Sequence, residues 1–209
     1  MNAGKNLSPL AIGILLSAIL LWAGEPWEEK RFEQWTRKEV DQILRDSPWA
    51  RPASLRGTNV QGGNLGVRWA SSRTIQQALV RRGLLMGTMT GAAVDGVLSQ
   101  PQADHVVLLY GRDLIAFEGF EPLNKESVRE AAYLELSNTK EKIPASSIEF
   151  ISNGTSLTAI AFRFPRHIAN SRAIPEDEIG VKFYCQLESA YVSTQFDLRK
   201  MVRDGKPDL

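Results

Sequence analysis

The chain has 209 residues, enough for one ordinary domain with a helical lead-in, so we expect a single hydrophobic core. Its 25 lysine and arginine residues balance 24 aspartate and glutamate residues, which gives no electrostatic reason to expect a nucleic-acid partner. The single cysteine, Cys185, excludes an internal disulfide. Without a CxxC pair or a Cys/His cluster, the sequence predicts no metal site and no cofactor.

The first predicted element is an apolar segment at the N-terminus. Lys5 precedes eighteen uncharged residues, Leu7–Gly24, and a short basic region before a long apolar one is typical of an export signal. The residues around Gly24 make a poor cleavage site, and eighteen residues are near the lower limit for crossing a bilayer. Residues 1–24 are therefore interpreted as a cleaved signal peptide or a retained signal anchor, with a buried core helix as the third alternative.

A helical lead-in ending in Ser-Pro-Trp is predicted for residues 25–52. Pro26 suits a first helical turn. Thr36 and Glu39 have the spacing of a capping box, which predicts the start of a second helix. This helix should end just before Pro48, because proline restricts the residue that precedes it and has no amide hydrogen.

Four of the five tryptophans lie between residues 22 and 49. Trp22 and Trp27 flank the outer end of the apolar segment, where indole rings settle at a membrane interface if the segment is retained. We expect Phe32, Trp35 and Trp49 to form a structural junction that clamps the lead-in onto the domain. A ligand-stacking platform is the alternative for these three aromatic residues.

Residues 53–209 are predicted to form a β-rich globular domain. Strand Leu65–Trp69 should lead into a helix that is capped by Ser71 or Ser72 and ends at Gly83, with a polar face in solvent. The glycine-containing stretch up to Pro101 lacks the ending of a phosphate-binding loop. We interpret it as a mobile apolar loop that covers a core edge or contacts a partner.

Antiparallel hairpins dominate the second half of the domain. Strands are predicted at His105–Tyr110 and Leu114–Glu118, on both sides of Asn153-Gly154, from near Ala132, and on both sides of a turn near Glu188. Cys185 falls within one of these strands and is expected to be buried. The pattern predicts an α+β fold, mainly an antiparallel β-sheet or sandwich, with one internal helix and an N-terminal helical lead-in.

Three stretches carry a family resemblance. They are the W-T-x-x-E and D-S-P-W-A motifs within Trp35–Ala50, and Phe164-Pro165-Arg166 with the F-x-L-x-K-M motif that starts at Phe196. On these residues the chain resembles a group of uncharacterised exported bacterial proteins and, more distantly, GWxTD-domain proteins. The resemblance spans most of the chain and implies export and a shared fold, but no activity and no catalytic residue.

Three polar residues around Pro165 form the one candidate ligand site. Arg163, Arg166 and His167 would hold an anionic group if they project together, and an exposed strand end is the alternative. The only other histidine, His105, stands at a strand start and is interpreted as a surface residue. The sequence has no GxSxG elbow, so no hydrolase triad is predicted, although a pair of carboxylates assembled in space stays open.

Two functions are consistent with these patterns. We favour an exported, non-enzymatic cell-envelope domain that acts by contact with an envelope protein or a surface component, and that meets the membrane through residues 7–24. Its location would be periplasmic or secreted, or anchored to the inner membrane with the domain outside the cytoplasm. The alternative is a periplasmic small-ligand-binding protein or hydrolase with its site near Arg163, Arg166 and His167, faced by a carboxylate from residues 176–178.

Overall fold

The structure is a computed structural model that describes residues 24–57, 61–117 and 123–209, with the side chains of 61–63 and 115–117 left undescribed. Residues 1–23, including Trp22 and nearly all of the predicted export segment, lie outside the described residues. Among the residues that are described, no helix has the length and apolar character needed to cross a membrane.

In the described part of the chain, groups of α-helices alternate with groups of β-strands along the sequence. The α-helices are α1 (Pro26–Glu29), α2 (Arg37–Arg45), α3 (Arg73–Met86), α4 (Gly91–Leu98) and α5 (Lys125–Glu130). The first five strands are β1 (Ala50–Gly57), β2 (Gln61–Trp69), β3 (Asp104–Gly111), β4 (Ala132–Leu136) and β5 (Lys142–Pro144). Those that follow are β6 (Ser147–Asn153), β7 (Ser156–Pro165), β8 (His167–Ile168), β9 (Ser171–Arg172), β10 (Gly180–Leu187), β11 (Ala190–Asp197), β12 (Val202–Arg203) and β13 (Lys206–Pro207).

Nine strands form one curled antiparallel sheet in the order β5-β4-β10-β11-β1-β2-β3-β7-β6. Its two edge strands, β5 and β6, are consecutive in the chain, so Ala145 and Ser146 alone separate the opposite edges. The Ala145 amide donates to the carbonyl of Ala132, the first residue of β4, and the Ser146 amide donates to the carbonyl of Arg163 of β7. The sheet must therefore curl until its edges meet. The predicted α+β class with a mainly antiparallel sheet is confirmed, in the single-sheet form.

The core fills the inside of the curled sheet. Alternate residues of each strand point inward, and the rings of Phe162 on β7 and Phe183 on β10 meet at 5.1 Å although their strands lie far apart in the sheet. Trp69 on β2 packs edge-on against Phe196 of β11. Buried residues from Trp27 to Met201 belong to one hydrophobic cluster.

The lead-in begins as predicted. Pro26 occupies the first turn of α1, and Thr36 caps α2 in a capping box with Glu39. The Lys30 ammonium, followed by the Thr36 amide, lowers the pKa of Glu39 to about 2. Helix α2 ends at Arg45, as the following proline requires.

Aromatic side chains of the lead-in are buried in the fold. Trp35 and Trp49 are completely buried, and their indole nitrogens donate to the carbonyl oxygens of Pro26 (3.0 Å) and Asp208 (2.7 Å). Trp27 is also buried and packs edge-on against Trp49 at 5.5 Å. Phe32 is half-buried against Trp35.

Helix α3 differs from its prediction at its end and on its polar face. It is capped by Ser72 as expected but continues to Met86, because Gly87 and not Gly83 adopts the left-handed conformation that closes a helix. The polar face is not all in solvent. Gln77 is buried and accepts from Arg203, and half-buried Arg81 donates to the Trp35 carbonyl at 2.8 Å.

Two further predicted elements are wrong. The segment expected to be a mobile loop after Gly83 contains α4, because its alanine, valine and leucine residues sustain a helix despite three glycines. The strand predicted at Leu114–Glu118 is a 3₁₀ helix, Arg112–Phe117, and Glu118 lies outside the described residues. Strand β3 already pairs with β2 and β7 on its two sides, which leaves no edge for a hairpin partner.

The other hairpins form where they were predicted. Strands β6 and β7 turn after Asn153, with Gly154 at a positive φ of 64°, and β10 and β11 turn at Glu188 and Ser189. Strand β4 begins at Ala132, directly after α5. Cys185 is fully buried, and burial raises the pKa of its thiol to about 12.

Candidate functional site

Two of the three residues predicted to bind a ligand line the same cavity. Arg166 and His167 follow the end of β7 and, with His105, Arg172, Ile174 and Leu209, surround about 250 Å³, which we call the terminal cavity. Arg163 is not part of it. Its guanidinium lies 3.5 Å from the Glu149 carboxylate of the neighbouring strand β6.

The two arginines of the terminal cavity are bound to acceptors of the chain itself. Arg166 Nε donates to the Gln102 carbonyl at 2.9 Å, and its Nη2 donates to the Leu209 carbonyl at 2.6 Å. Arg172 lies 3.1 Å from the Glu176 carboxylate. Both guanidinium groups therefore have acceptors within the chain, and Arg166 links Gln102 to Leu209.

The carboxylates predicted to face this site divide between two roles. Glu176 pairs with Arg172 as described. Glu178 is buried instead, and its Oε1 accepts from the backbone amides of Ser137 (3.0 Å), Asn138 (3.1 Å) and Gly180 (3.2 Å). It stabilises the end of β4 and the start of β10.

His105 is buried, contrary to the surface position expected from the sequence. It is 5 % exposed and packs edge-on against Trp69 at 5.4 Å, on the inward side of β3. Burial, followed by the charges of Arg166 and His167, lowers its pKa to about 3. Its Nδ1 has no hydrogen-bond partner among the described residues. The neutral ring therefore belongs to the core.

A larger cleft lies on the outer face of the sheet, beside α2 and α3. Its volume is about 570 Å³. It is lined by four arginines with Tyr110 and Asp41, and we call it the arginine cleft: Arg45 from α2, Arg68 from β2, Arg82 from α3 and Arg112 just after β3. Helices α2 and α3 pack directly against each other.

Strand alternation places Arg68 in this cleft. Leu65, Val67 and Trp69 point into the core, so Arg68 points outward. There its guanidinium stacks on the ring of Tyr110, 3.8 Å from the centroid. The Tyr110 hydroxyl donates to the Leu44 carbonyl at 2.9 Å, which fixes the ring against α2.

Gly66 is required at the floor of the cleft. It pairs with Tyr110 across β2 and β3, and a Cβ at this position would collide with the tyrosine ring. Nearby, the Asp113 carboxylate accepts from the Asn64 amide at 3.0 Å. The sequence thus provides a rigid tyrosine platform beneath Arg68.

Among the described residues, no acidic side chain forms an ion pair with the buried cation Arg68. It is 7 % exposed, and its Nε has no hydrogen-bond partner among the described residues. Burial is the main cause that lowers its pKa, and the like charges of Arg82 and Arg45 lower it further, whereas Tyr110 raises it. No carboxylate of the described residues forms an ion pair with any of the four cleft arginines.

This arrangement has the chemistry of an anion site. Buried charges in proteins are normally paired, because an isolated one loses its hydration. Guanidinium groups match the oxygen geometry of carboxylates and phosphates, to which they donate paired hydrogen bonds. Within the described part of the chain, no group of three histidine, cysteine, aspartate or glutamate residues is placed to hold a metal ion.

The arginine cleft was not found from the sequence. Its four arginines belong to separate elements, and no motif joins them. The one local signal was Arg68 itself, a charge between Val67 and Trp69 in a strand whose preceding outward residue, Gly66, has no side chain.

Comparisons with known proteins identify no relative: no family model, no curated protein and no solved structure matches this chain. The resemblance to exported bacterial proteins therefore stays a prediction.

Proposed function

We propose that this chain is an exported, non-enzymatic domain of the cell envelope that binds an anionic ligand in the arginine cleft. The observation that carries the proposal is the buried Arg68 guanidinium, which has no ion-pair partner among the described residues. Export rests on the apolar segment Leu7–Gly24 and on the resemblance described above.

An anion would offset a real energetic cost. Desolvating an unpaired charge costs on the order of several kcal/mol even after relaxation. Here the like charges of Arg45 and Arg82 add to that cost. A phosphate or carboxylate group beside Arg68 would replace the lost hydration with charge-assisted hydrogen bonds, each contributing about 1.5–3 kcal/mol.

The number of cations indicates the kind of ligand. Arg45, Arg82 and Arg112 are exposed around Arg68, and Asp41 is the carboxylate in the same lining. Four positive charges against one negative charge favour a ligand with two or more negative charges. The volume of about 570 Å³ is within the range of small-molecule sites.

The predicted site at Arg166 and His167 is less suited to this role. Arg166 binds Gln102 and Leu209, and Arg172 binds Glu176, so a ligand would have to compete with contacts that the chain already makes. We assign these arginines to stabilising the fold.

Calorimetric titration of the full chain in mild detergent with inorganic pyrophosphate tests the proposal. Arg68→Met keeps much of the side-chain stem but removes the charge, and Arg163→Met is the matched control because Arg163 lies outside the cleft. We expect binding by the wild type and Arg163→Met, and at least about tenfold weaker binding by Arg68→Met, corresponding to about 1.4 kcal/mol. Equal affinities of all three proteins would contradict the proposal.

A further inference from the structure

The helix that lines the arginine cleft also carries exposed apolar side chains. Arg82 of α3 belongs to the cleft, and Leu85 and Met86 follow it by three and four residues. Residues at these spacings are neighbours on one side of a helix. Leu85 is 36 % exposed and Met86 is 59 % exposed, so apolar surface lies directly beside the cleft arginine.

Helix α4, which follows α3, is also largely apolar. It packs against α3, and Asp95 is its single charged residue. Leu98 is its one buried residue, whereas Val97 is 40 % exposed. We call Arg82, Leu85 and Met86, which share one side of α3, the docking face.

The start of the described chain lies beside the same helix. The Trp35 indole donates to the Pro26 carbonyl, and Arg81 of α3 donates to the Trp35 carbonyl. Two hydrogen bonds therefore connect α3 with the residues that directly follow the apolar segment Leu7–Gly24. If that segment enters a bilayer, it holds α3 close to the membrane surface.

We propose that the docking face lies on an anionic bilayer, with lipid phosphate groups entering the arginine cleft and Leu85 and Met86 dipping into the interface. Basic residues beside exposed apolar ones are typical of helices that bind at membrane surfaces. The proposal rests on the proposed function, since it names the anion of the arginine cleft as a lipid headgroup.

Charge argues against a second copy of this chain as the occupant. A two-fold interface brings the same surface of both copies together. It would place the arginines of one cleft against those of the other, which like-charge repulsion disfavours. An anionic surface instead supplies a counter-charge to these arginines.

The test places an environment-sensitive fluorophore on Met86→Cys in the full chain, reconstituted in nanodiscs. The native Cys185 is fully buried, and burial raises the pKa of its thiol, so it should not compete for the label. One set of discs contains equal parts of phosphatidylglycerol and phosphatidylcholine, and the other contains phosphatidylcholine alone. Ile151→Cys is the matched control, because Ile151 is similarly apolar and 39 % exposed but lies on β6.

We expect a blue-shifted emission and quenching by lipid-bound quenchers at position 86 in the phosphatidylglycerol discs only. The Ile151→Cys label should not respond, and Arg68→Met should remove the response at position 86. Equal responses in both lipids, a response at position 151, or no response at position 86 would overturn the proposal.

A second variant separates this inference from the proposed function. Leu85→Gln removes apolar surface from the docking face without adding a charge beside Arg82, and Leu85 lies outside the cleft lining. It should therefore weaken the position-86 response while the pyrophosphate titration keeps its wild-type affinity. A wild type that binds pyrophosphate but shows no membrane response would refute bilayer docking alone. Loss of pyrophosphate binding in the wild type would refute both.

Discussion

The terminal cavity and the arginine cleft are both lined by arginines, but they use the charge differently. In the terminal cavity, Arg166 donates to two carbonyl oxygens and Arg172 faces Glu176. In the arginine cleft, Arg68 is more deeply buried, yet no carboxylate of the described residues pairs with it. An arginine that lines a cavity is therefore not by itself evidence of binding. The acceptors around it distinguish a structural role from a binding role.

The largest expected effect is a loss of stability at low pH through His105, which borders the terminal cavity. His105 has a folded pKa of about 3, below its usual 6.5, because burial disfavours the charged ring. Between pH 3 and pH 6.5 the histidine is protonated in the unfolded chain but neutral in the folded one. The contribution of the buried neutral ring to the free energy of unfolding is therefore complete above pH 6.5 and is lost as the pH falls toward 3. We expect a loss of up to about 4 kcal/mol.

Urea unfolding of the wild type and His105→Phe between pH 7 and pH 4 measures this contribution. The phenylalanine ring can occupy the same place beside Trp69 without titrating. The wild type should lose more stability than the variant over this interval. Parallel pH profiles would show that the histidine does not titrate as a buried residue.

The next effect tests whether Arg166 is structural. Arg166→Met leaves the Gln102 and Leu209 carbonyls without their donor. We expect the free energy of unfolding to fall by about 2 kcal/mol, because orphaned acceptors lose hydrogen bonds that water replaces incompletely. Urea unfolding measures the change, and the pyrophosphate affinity should stay at its wild-type value. A variant with wild-type stability and weakened anion binding would reverse the roles of the two regions.

The smallest effect concerns the rim of the arginine cleft. Arg45 is exposed at the end of α2, so solvent screens its interaction with a ligand. We expect Arg45→Gln to weaken pyrophosphate binding by roughly two- to fivefold, corresponding to about 0.4–1 kcal/mol. The affinity of the variant should also depend less on salt concentration. A loss of affinity as large as that of Arg68→Met would show that burial does not determine how much each arginine contributes to pyrophosphate binding.

Local signals predicted those parts of the fold in which neighbouring residues decide the structure. The capping box at Thr36 and Glu39, the turn at Asn153-Gly154 and the alternation around Cys185 each gave the correct element. The segment after Tyr110 was predicted incorrectly because alternation alone does not reveal that both sides of β3 are occupied.

The candidate site was less accessible to sequence reasoning. Proximity in sequence suggested Arg163, Arg166 and His167 as one site. In the structure, Arg163 lies within β7 beside Glu149, whereas Arg166 and His167 line the terminal cavity. The arginine cleft depends on the packing of α2 against α3 and β2, which brings residues of separate elements into one lining. Residues that are brought together only by tertiary packing leave no motif in the sequence.

The most direct test is the free energy of unfolding of Arg68→Met, measured with and without pyrophosphate. If the cleft holds an uncompensated charge, the variant without ligand should be at least as stable as the wild type, because methionine removes a buried cation and keeps the packing. Pyrophosphate should then stabilise the wild type but not the variant. An Arg68→Met protein that is destabilised as much as Arg166→Met, and that gains as much from pyrophosphate as the wild type, would contradict the assignment of Arg68 to ligand binding.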